Sequence, residues 1–233
     1  MQAVYKREIK SFFTTPIGYV VLGISYFFLG FFFSYQFNYS YADITFTFTQ
    51  MFSISLFLFP IITMRLMSEE KRQKTDQALL TSPVGLWGIV LGKYFAALTV
   101  FAIGYAPTLL YMMILSSHAT VNWLMYLSCL LGTLLLGAAI IAAGLLISAL
   151  TESQIVAAVG TYAISLFIML LDSFAELINV SFFQTVVGWL SFQGRYNTFI
   201  TGVIDVSNIL FFLSFAAVFL FLSVRVLEKR RYA

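Results

Sequence analysis

Residues 64–84 form the one long polar stretch in a chain that is otherwise mostly apolar. This stretch, MRLMSEEKRQKTDQALLTSPV, carries four cations and three carboxylates. Such side chains lie in water or against a polar partner. Glu70 and Lys74 are four residues apart and Glu69 and Arg72 are three apart, so a helix would place opposite charges on one face. The sequence therefore predicts a short charged helix that ends at Ser82–Pro83. Its chemistry is ion pairing, either as a solvated loop or against another protein.

A second motif, at residues 88–93, resembles a phosphate-binding loop but lacks its spacing. The sequence reads GxxxGK rather than GxxxxGK, and Tyr94 stands where a Ser or Thr would contact Mg²⁺. The lone histidine, His118, and the lone cysteine, Cys129, complete no metal-ligand set. We therefore expect no catalytic, cofactor-binding or metal-binding residues on this chain, and any ATP chemistry must come from elsewhere.

Composition places these residues in a membrane protein. Of 233 residues, 61% are hydrophobic and only 10% are charged, and the mean hydropathy is +0.92. A soluble domain has roughly 25% charged residues. The clustered basic and polar surface of a nucleic-acid-binding protein is not present in this composition. We therefore predict an all-α integral membrane protein with a single transmembrane domain over residues 1–233.

Six apolar segments are long enough to cross a hydrocarbon core of about 30 Å. A proline, Pro107, should kink the third of them, and Lys93 near its start should extend its amine towards the membrane surface. Small residues spaced four apart predict that the fourth and fifth segments pack as a hairpin about residues 151–153. The predicted spans are 17–37, 46–64, 86–115, 123–150, 155–171 and 207–224.

Residues 1–15 have the pattern of an amphipathic helix at the membrane interface. Apolar side chains recur at helical spacing, and the cations occupy the opposite side. The apolar set is Val4, Tyr5, Ile9, Phe12 and Phe13, and the cationic set is Lys6, Arg7 and Lys10.

The segment 172–206 is a second polar region, between the last two spans. Its middle, residues 180–190, is apolar over only 11 residues, which is too short to cross a membrane. Half-length apolar segments at membrane depth must be shielded by protein or line a cavity. We therefore predict short external or re-entrant helices, broken near Gly194 and Arg195.

The basic residues predict the orientation, because Lys and Arg concentrate on the cytoplasmic side. Of the 13 in the chain, three lie in residues 1–15, five in residues 65–93 and four in the C-terminal tail. Only Arg195 falls on the other side of the predicted topology. Both termini and the charged stretch are therefore expected to be cytoplasmic.

Several stretches resemble a known family. Residues 68–75 (SEEKRQKT) and 79–84 (LLTSPV) resemble EEKRxGTxELLLTSP, a signature of permeases of the type-2 ABC export family, especially the gliding-motility permease subgroup. Residues 7–19 (REIKSFFTTPIGY) and 202–205 (GVID) resemble further motifs of that family, in the same order. The departures are Lys74 in place of the usual Gly, Asp76 and Gln77 in place of an apolar residue and Glu, and Thr201 in place of Arg.

The resemblance implies a role for the segment 65–85. In that family it is a cytoplasmic coupling helix between spans two and three, and it docks in a groove of a separate ATPase subunit. Two permease chains, identical or related, would assemble with two ATPase chains, which bind ATP and Mg²⁺. Spans one, two and five would line the transport path. An extracytoplasmic accessory protein is a further possible partner. The residues implied to contact the ATPase are Glu69, Glu70, Lys71, Arg72, Thr75, Leu79 and Leu80.

From the resemblance we expect an exporter permease of the bacterial cytoplasmic membrane, without a nucleic-acid partner. Two other functions fit the sequence. A polytopic scaffold or assembly factor would use the charged stretch to bind a protein other than an ATPase, and a small-molecule channel would conduct without ATP. The sequence leaves the substrate open among lipids, hydrophobic peptides, drugs and glycans.

Overall fold

The computed structural model describes residues 1–38, 44–75, 85–118, 120–177 and 188–232, and within these ranges the chain is helical apart from short connections. The helices are numbered here in chain order. They are α1 (Gln2–Thr14), α2 (Pro16–Asn38), α3 (Thr45–Thr63), α4 (Ser68–Arg72), α5 (Leu86–Tyr105), α6 (Pro107–His118), α7 (Trp123–Leu150), α8 (Gln154–Leu177), α9 (Phe192–Ile200) and α10 (Val206–Tyr232).

Six helical segments of the described chain are long and apolar enough to cross a membrane. They are Pro16–Phe37, Thr45–Arg72, Leu86–His118, Trp123–Leu150, Gln154–Leu171 and Val206–Arg231. The predicted all-α membrane fold with six spans is therefore confirmed. Helices are the element expected here, because a helix satisfies its backbone polar groups without water.

The helix α7 lies at the centre of the bundle and packs against α3, α5, α8, α9 and α10. Glycines allow this close packing. A side-chain carbon at Gly132 would lie 2.5 Å from Cβ of Phe199 in α9, and one at Gly144 would lie 2.5 Å from Oγ1 of Thr63 in α3. Small residues let helix backbones approach closely in membranes, where van der Waals packing drives association.

The third span is interrupted at its proline, as predicted. The helix α5 ends at Tyr105 and α6 begins at Pro107, and the N–H of Ala106 donates to the carbonyl of Ile103. Proline lacks a backbone donor and its ring clashes with the preceding turn, so it occupies the first position of the next helix.

The N-terminal helix α1 packs against α5 and α2. Val4 and Phe12 are buried, whereas Lys6, Arg7 and Lys10 are exposed. Phe13 is half-buried, edge-on to Tyr19. The Val4 side chain fits over Gly92 of α5, where an added carbon would lie 3.0 Å from it. The predicted amphipathic pattern therefore corresponds to a helix whose apolar face covers one end of the bundle.

The helix α9 does not break at Gly194. It begins after Ser191, whose hydroxyl accepts a 2.8 Å hydrogen bond from the N–H of Gly194, and it continues through Arg195. The chain is interrupted at Ser191, three residues before the expected position, because a serine can cap the helix start and a glycine is not required there. Most of the apolar run 180–190 lies outside the described residues.

Two side chains of α9 insert into the bundle. Tyr196 is 1% exposed, and its hydroxyl donates to the carbonyl of Phe48 at 3.1 Å and contacts the hydroxyl of Thr133 at 3.1 Å. Phe199 is fully buried, and its carbonyl accepts a 2.9 Å hydrogen bond from Ser128. These contacts fix α9 against α3 and α7 at the end opposite α4.

Candidate functional site

The charged stretch forms a shorter helix than its sequence suggested. The helix α4 ends at Arg72, and the chain turns at Lys74, whose φ of 57° is left-handed. The N–H of Thr75 donates to the carbonyl of Glu70 at 3.0 Å, and the N–H of Lys74 donates to the carbonyl of Lys71 at 3.1 Å. This pair of bonds is the Schellman arrangement that closes a helix. Leu79 and Leu80 lie outside the described residues.

The left-handed turn gives a physical reason for the glycine that the family resemblance places at position 74. In the part of the chain that the structure describes, Lys74 is the one non-glycine residue with a positive φ. A side chain in this conformation is strained by roughly 1–2 kcal/mol, because its Cβ approaches a carbonyl oxygen, and glycine avoids that contact. The helix end is therefore kept in this chain at the cost of a strained lysine.

Lys93 joins three helices through a buried ion cluster. Its amine lies 2.9 Å from Oε1 of Glu8 in α1 and 3.0 Å from Oε2 of Glu70 in α4. Arg7 also pairs with both carboxylates, at 2.9 Å from Glu8. The Lys93 side chain is 1% exposed, so it does not extend to the membrane surface as the sequence suggested. A buried ammonium needs opposite charges and hydrogen bonds, and the two glutamates supply them.

The environment of Glu8 favours its ionised form. Burial raises the pKa of this carboxyl, but the charges and hydrogen bonds of Lys93 and Arg7 outweigh burial and hold the pKa below its usual range. The ionised carboxylate of Glu8 therefore links α1 to Lys93 of α5 at neutral pH.

A second polar contact involves Arg65, in the turn between α3 and α4. Its Nε lies 2.9 Å from Oε2 of Glu69, and it donates to the hydroxyl of Ser11 at 2.8 Å and to that of Thr15. The guanidinium also lies over the ring of Phe12, 5.9 Å from its centroid. Arg65 thus connects the start of α4 to the corner between α1 and α2.

The predicted coupling residues of α4 fall into two groups. Glu69, Glu70 and Lys71 point towards the rest of the protein, with side chains that are 26% and 18% exposed for the two glutamates and a residue exposure of 5% for Lys71. Arg72 and Thr75 are exposed, as are the two residues between them. Within the described part of the charged stretch, the surface available to a partner is therefore residues 72–75, which we call the exposed turn.

The ion pairs that the sequence spacing suggested within α4 are replaced by contacts to other segments. Glu69 pairs with Arg65 and Glu70 pairs with Arg7 and Lys93. Lys74 does not pair with Glu70 across a helical turn, because α4 ends at Arg72 and Lys74 is no longer on its helical face. The sequence did not identify Glu8 or Lys93 as partners. A signal was available, because a lone lysine inside an apolar span requires an opposite charge nearby.

The same end of the bundle gathers further basic segments. Arg230 of α10 lies 3.3 Å from Glu152 in the α7–α8 turn. Arg195 lies at the other end, where it donates to Asn208 at 2.8 Å and its guanidinium lies 4.3 Å from the ring centroid of Phe211. The basic residues that cluster in the sequence therefore lie at the end of the bundle that holds α4, and Arg195 lies at the opposite end.

Comparison with known proteins agrees with this architecture. No curated protein matches the chain. The family described as "ABC-2 family transporter protein" matches residues 3–231, which include the six candidate spans, the ion cluster and the exposed turn. The match covers nearly the whole sequence, and the chain belongs to the ABC-2 family of transporter proteins.

Proposed function

We propose that this chain is the permease subunit of an ABC exporter in a bacterial cytoplasmic membrane, driven by a separate ATPase subunit that docks on the exposed turn. The observation that carries the proposal is the position of this turn. Residues 72–75 project from the basic end of the bundle, while the preceding residues of α4 are tied to α1, α5 and α7. Because α4 is bonded to these helices, a displacement that a partner imposes on the exposed turn can be transmitted to them.

The charges of the exposed turn define the partner surface. Arg72 and Lys74 are both exposed cations, whereas Glu69 and Glu70 are paired within the chain. Complementary potentials across an interface steer association and fix its register. The groove of the ATPase that receives the turn should therefore carry acidic side chains.

The energy for transport would come from ATP and Mg²⁺ bound to the ATPase, of which two copies are expected. A second permease chain, identical or related, would complete the membrane path. The burial of the spans supports this arrangement, since α2, α8 and α10 are the least buried, at 28%, 22% and 28% of their apolar windows, and α2 and α8 are two of the spans expected to line the path. Exposed aromatic residues such as Phe27 and Phe31 on α2 and Phe167 on α8 leave both helices free to contact a second chain.

The docking surface is tested by reversing its charge. The variant R72E/K74E should insert normally but lose co-purification with the ATPase subunit and lose stimulation of ATP hydrolysis. The matched control is K229E/R231E, which changes two exposed cations of the C-terminal tail in the same way. Equal effects in the two variants would contradict docking at the exposed turn.

The same preparation separates the alternatives. A scaffold or assembly factor would co-purify with a protein that hydrolyses no ATP. A channel would conduct its solute in liposomes that contain the purified chain alone, without ATP. An ATPase that associates with the chain and is stimulated by it supports the permease function, and its absence would contradict it.

A further inference from the structure

The start of α4 lacks a capping side chain of its own. Its N-cap residue, Met67, makes no side-chain hydrogen bond to the helix. The first N–H groups of a helix have no partner within the helix and must be satisfied from outside. Here the hydroxyl of Ser148, in α7, accepts hydrogen bonds from the N–H of Met67 at 3.0 Å and from the N–H of Ser68 at 3.1 Å.

The same hydroxyl also forms a hydrogen bond with the turn before α4. Ser148 donates to the carbonyl of Met64 at 3.3 Å, so one side chain contacts both ends of the α3–α4 turn and the first residue of α4. Ser148 and Ser68 are both fully buried. Water therefore cannot replace these hydrogen bonds if the serine is removed, and the buried N–H groups would be left unpaired.

A side chain of α4 in turn satisfies one backbone carbonyl at the C-terminal end of α7. The carbonyl of Ala149 is among the last four of α7, which have no partner within that helix. The amine of Lys71 donates to this carbonyl. A cation at a helix C-terminus is also favoured by the helix dipole. Lys71 is 5% exposed, so this contact is buried like the contacts of Ser148.

These contacts attach α4 directly to the end of α7. We propose that Ser148 and Lys71 are positioning residues that seat α4 on the end of α7, so that a push on the exposed turn passes directly to α7 as well as to α3 and α5, the spans that α4 joins in sequence. This inference rests on the proposed function, because it requires a partner that pushes on α4.

The close packing of α7 determines where a displacement of α4 would be transmitted. The helix touches α4 and five other helices, and its glycines leave no free space against Phe199 or Thr63. Closely packed interiors transmit displacements because they have few voids to absorb them. A displacement of α7 is therefore passed to α3 on one side and to the external helix α9 on the other.

Amide hydrogen exchange on the isolated full-length permease tests the contact without any ATPase. In S148A, the amides of Met67 and Ser68 should exchange roughly five- to tenfold faster, since each loses a hydrogen bond worth about 1 kcal/mol. The matched control is S165A, because Ser165 is also fully buried and its hydroxyl has no hydrogen-bond partner in the described part of the chain. Equal exchange in the two variants would overturn the capping role of Ser148.

The path of the force is tested in the assembled complex. Adding the ATPase subunit with ATP to the wild-type permease should change exchange in residues 144–150 of α7, and S148A should reduce that change while S165A retains it. Persistence of the full change in S148A, or a wild-type change confined to α3 and α5, would overturn the inference. If the wild-type permease shows no response to any ATPase, the proposed function fails, while the result on the isolated chain still stands.

A second variant covers the case in which S148A does not fold. In K71M the Met67 and Ser68 amides should stay protected, because Ser148 remains, but the ATP-dependent change in α7 should fall. K71R, which keeps a donor and the charge, should restore it. A change of equal size in K71M and the wild type would also overturn the inference.

Discussion

Glu70 and Lys93 form an ion pair of 3.0 Å that links α4 to the start of the third span. The lysine is 1% exposed and also pairs with Glu8, so one amine holds two carboxylates from different helices. Breaking such a pair leaves charges in a poorly solvated site, which costs more than an exposed pair gains. The cluster therefore makes the position of α4 dependent on α1 and α5.

The first prediction concerns the loss of this amine. K93M should lower the free energy of unfolding by roughly 2–4 kcal/mol, somewhat below the full cost of an isolated buried charge because Arg7 still faces both glutamates. Thermal unfolding in detergent measures the change. K6M is the control, since Lys6 is exposed on α1. Adding E8Q and E70Q to K93M should recover part of the loss, and no recovery would contradict the ion-cluster explanation.

The second prediction concerns pH. The pKa of Glu8 is lowered in the folded protein, so its contribution to stability is present above the unfolded value of about 4.3 and is lost as pH falls through the lower folded value. The wild type should therefore be more stable than E8Q at neutral pH, and this difference should disappear only below about pH 4. Thermal midpoints of both proteins over acidic pH check it. A difference that disappears on raising the pH would contradict the assignment.

The sequence was most informative where a pattern depends on local chemistry. The spans, the Pro107 interruption and the helix over residues 2–14 follow from apolar length, a missing N–H and helical periodicity. The site was only partly predictable. Residues 65–75 were found by their charge, but their partners Arg7, Lys93 and Ser148 belong to other helices far along the chain, and a single sequence does not specify such pairings.

The length of α4 shows a different limit. Spacing predicted that the helix continues towards the Ser82–Pro83 pair, but the Schellman bonds close it at Lys74. Lysine has no preference for a left-handed conformation, so composition gave no stop signal there. The glycine expected from the family resemblance at this position was the better indicator.

The third prediction uses this strained lysine. K74G should stabilise the end of α4 by about 1 kcal/mol relative to K74A, because glycine adopts a positive φ without a clash and alanine does not. Both variants lose the same charge, so their difference isolates the backbone effect. Amide exchange at Lys74 and Thr75, or the thermal midpoint, measures it. Equal stability of the two variants would contradict the left-handed turn.

The fourth prediction concerns the packing of α9 on α7. G132A should destabilise the protein by roughly 1–3 kcal/mol, because the new carbon would lie 2.5 Å from Phe199. G23A is the control, since nothing lies within 4 Å of the carbon it adds to α2. In that open position alanine should be neutral or stabilise the helix by about 0.5–1 kcal/mol. Thermal unfolding of the two variants compares them, and equal shifts would contradict the contact.

The last prediction tests the orientation on which docking depends. The basic end holds Lys229 and the opposite end holds Trp189, which is 70% exposed. In intact cells an impermeant thiol reagent should label W189C from outside, and it should label K229C only after the cytoplasmic membrane is opened. The native Cys129 is buried and should give no signal in either case. Labelling of K229C in intact cells would place the exposed turn outside the cell, where a cytoplasmic ATPase could not reach it, and would contradict the proposed function.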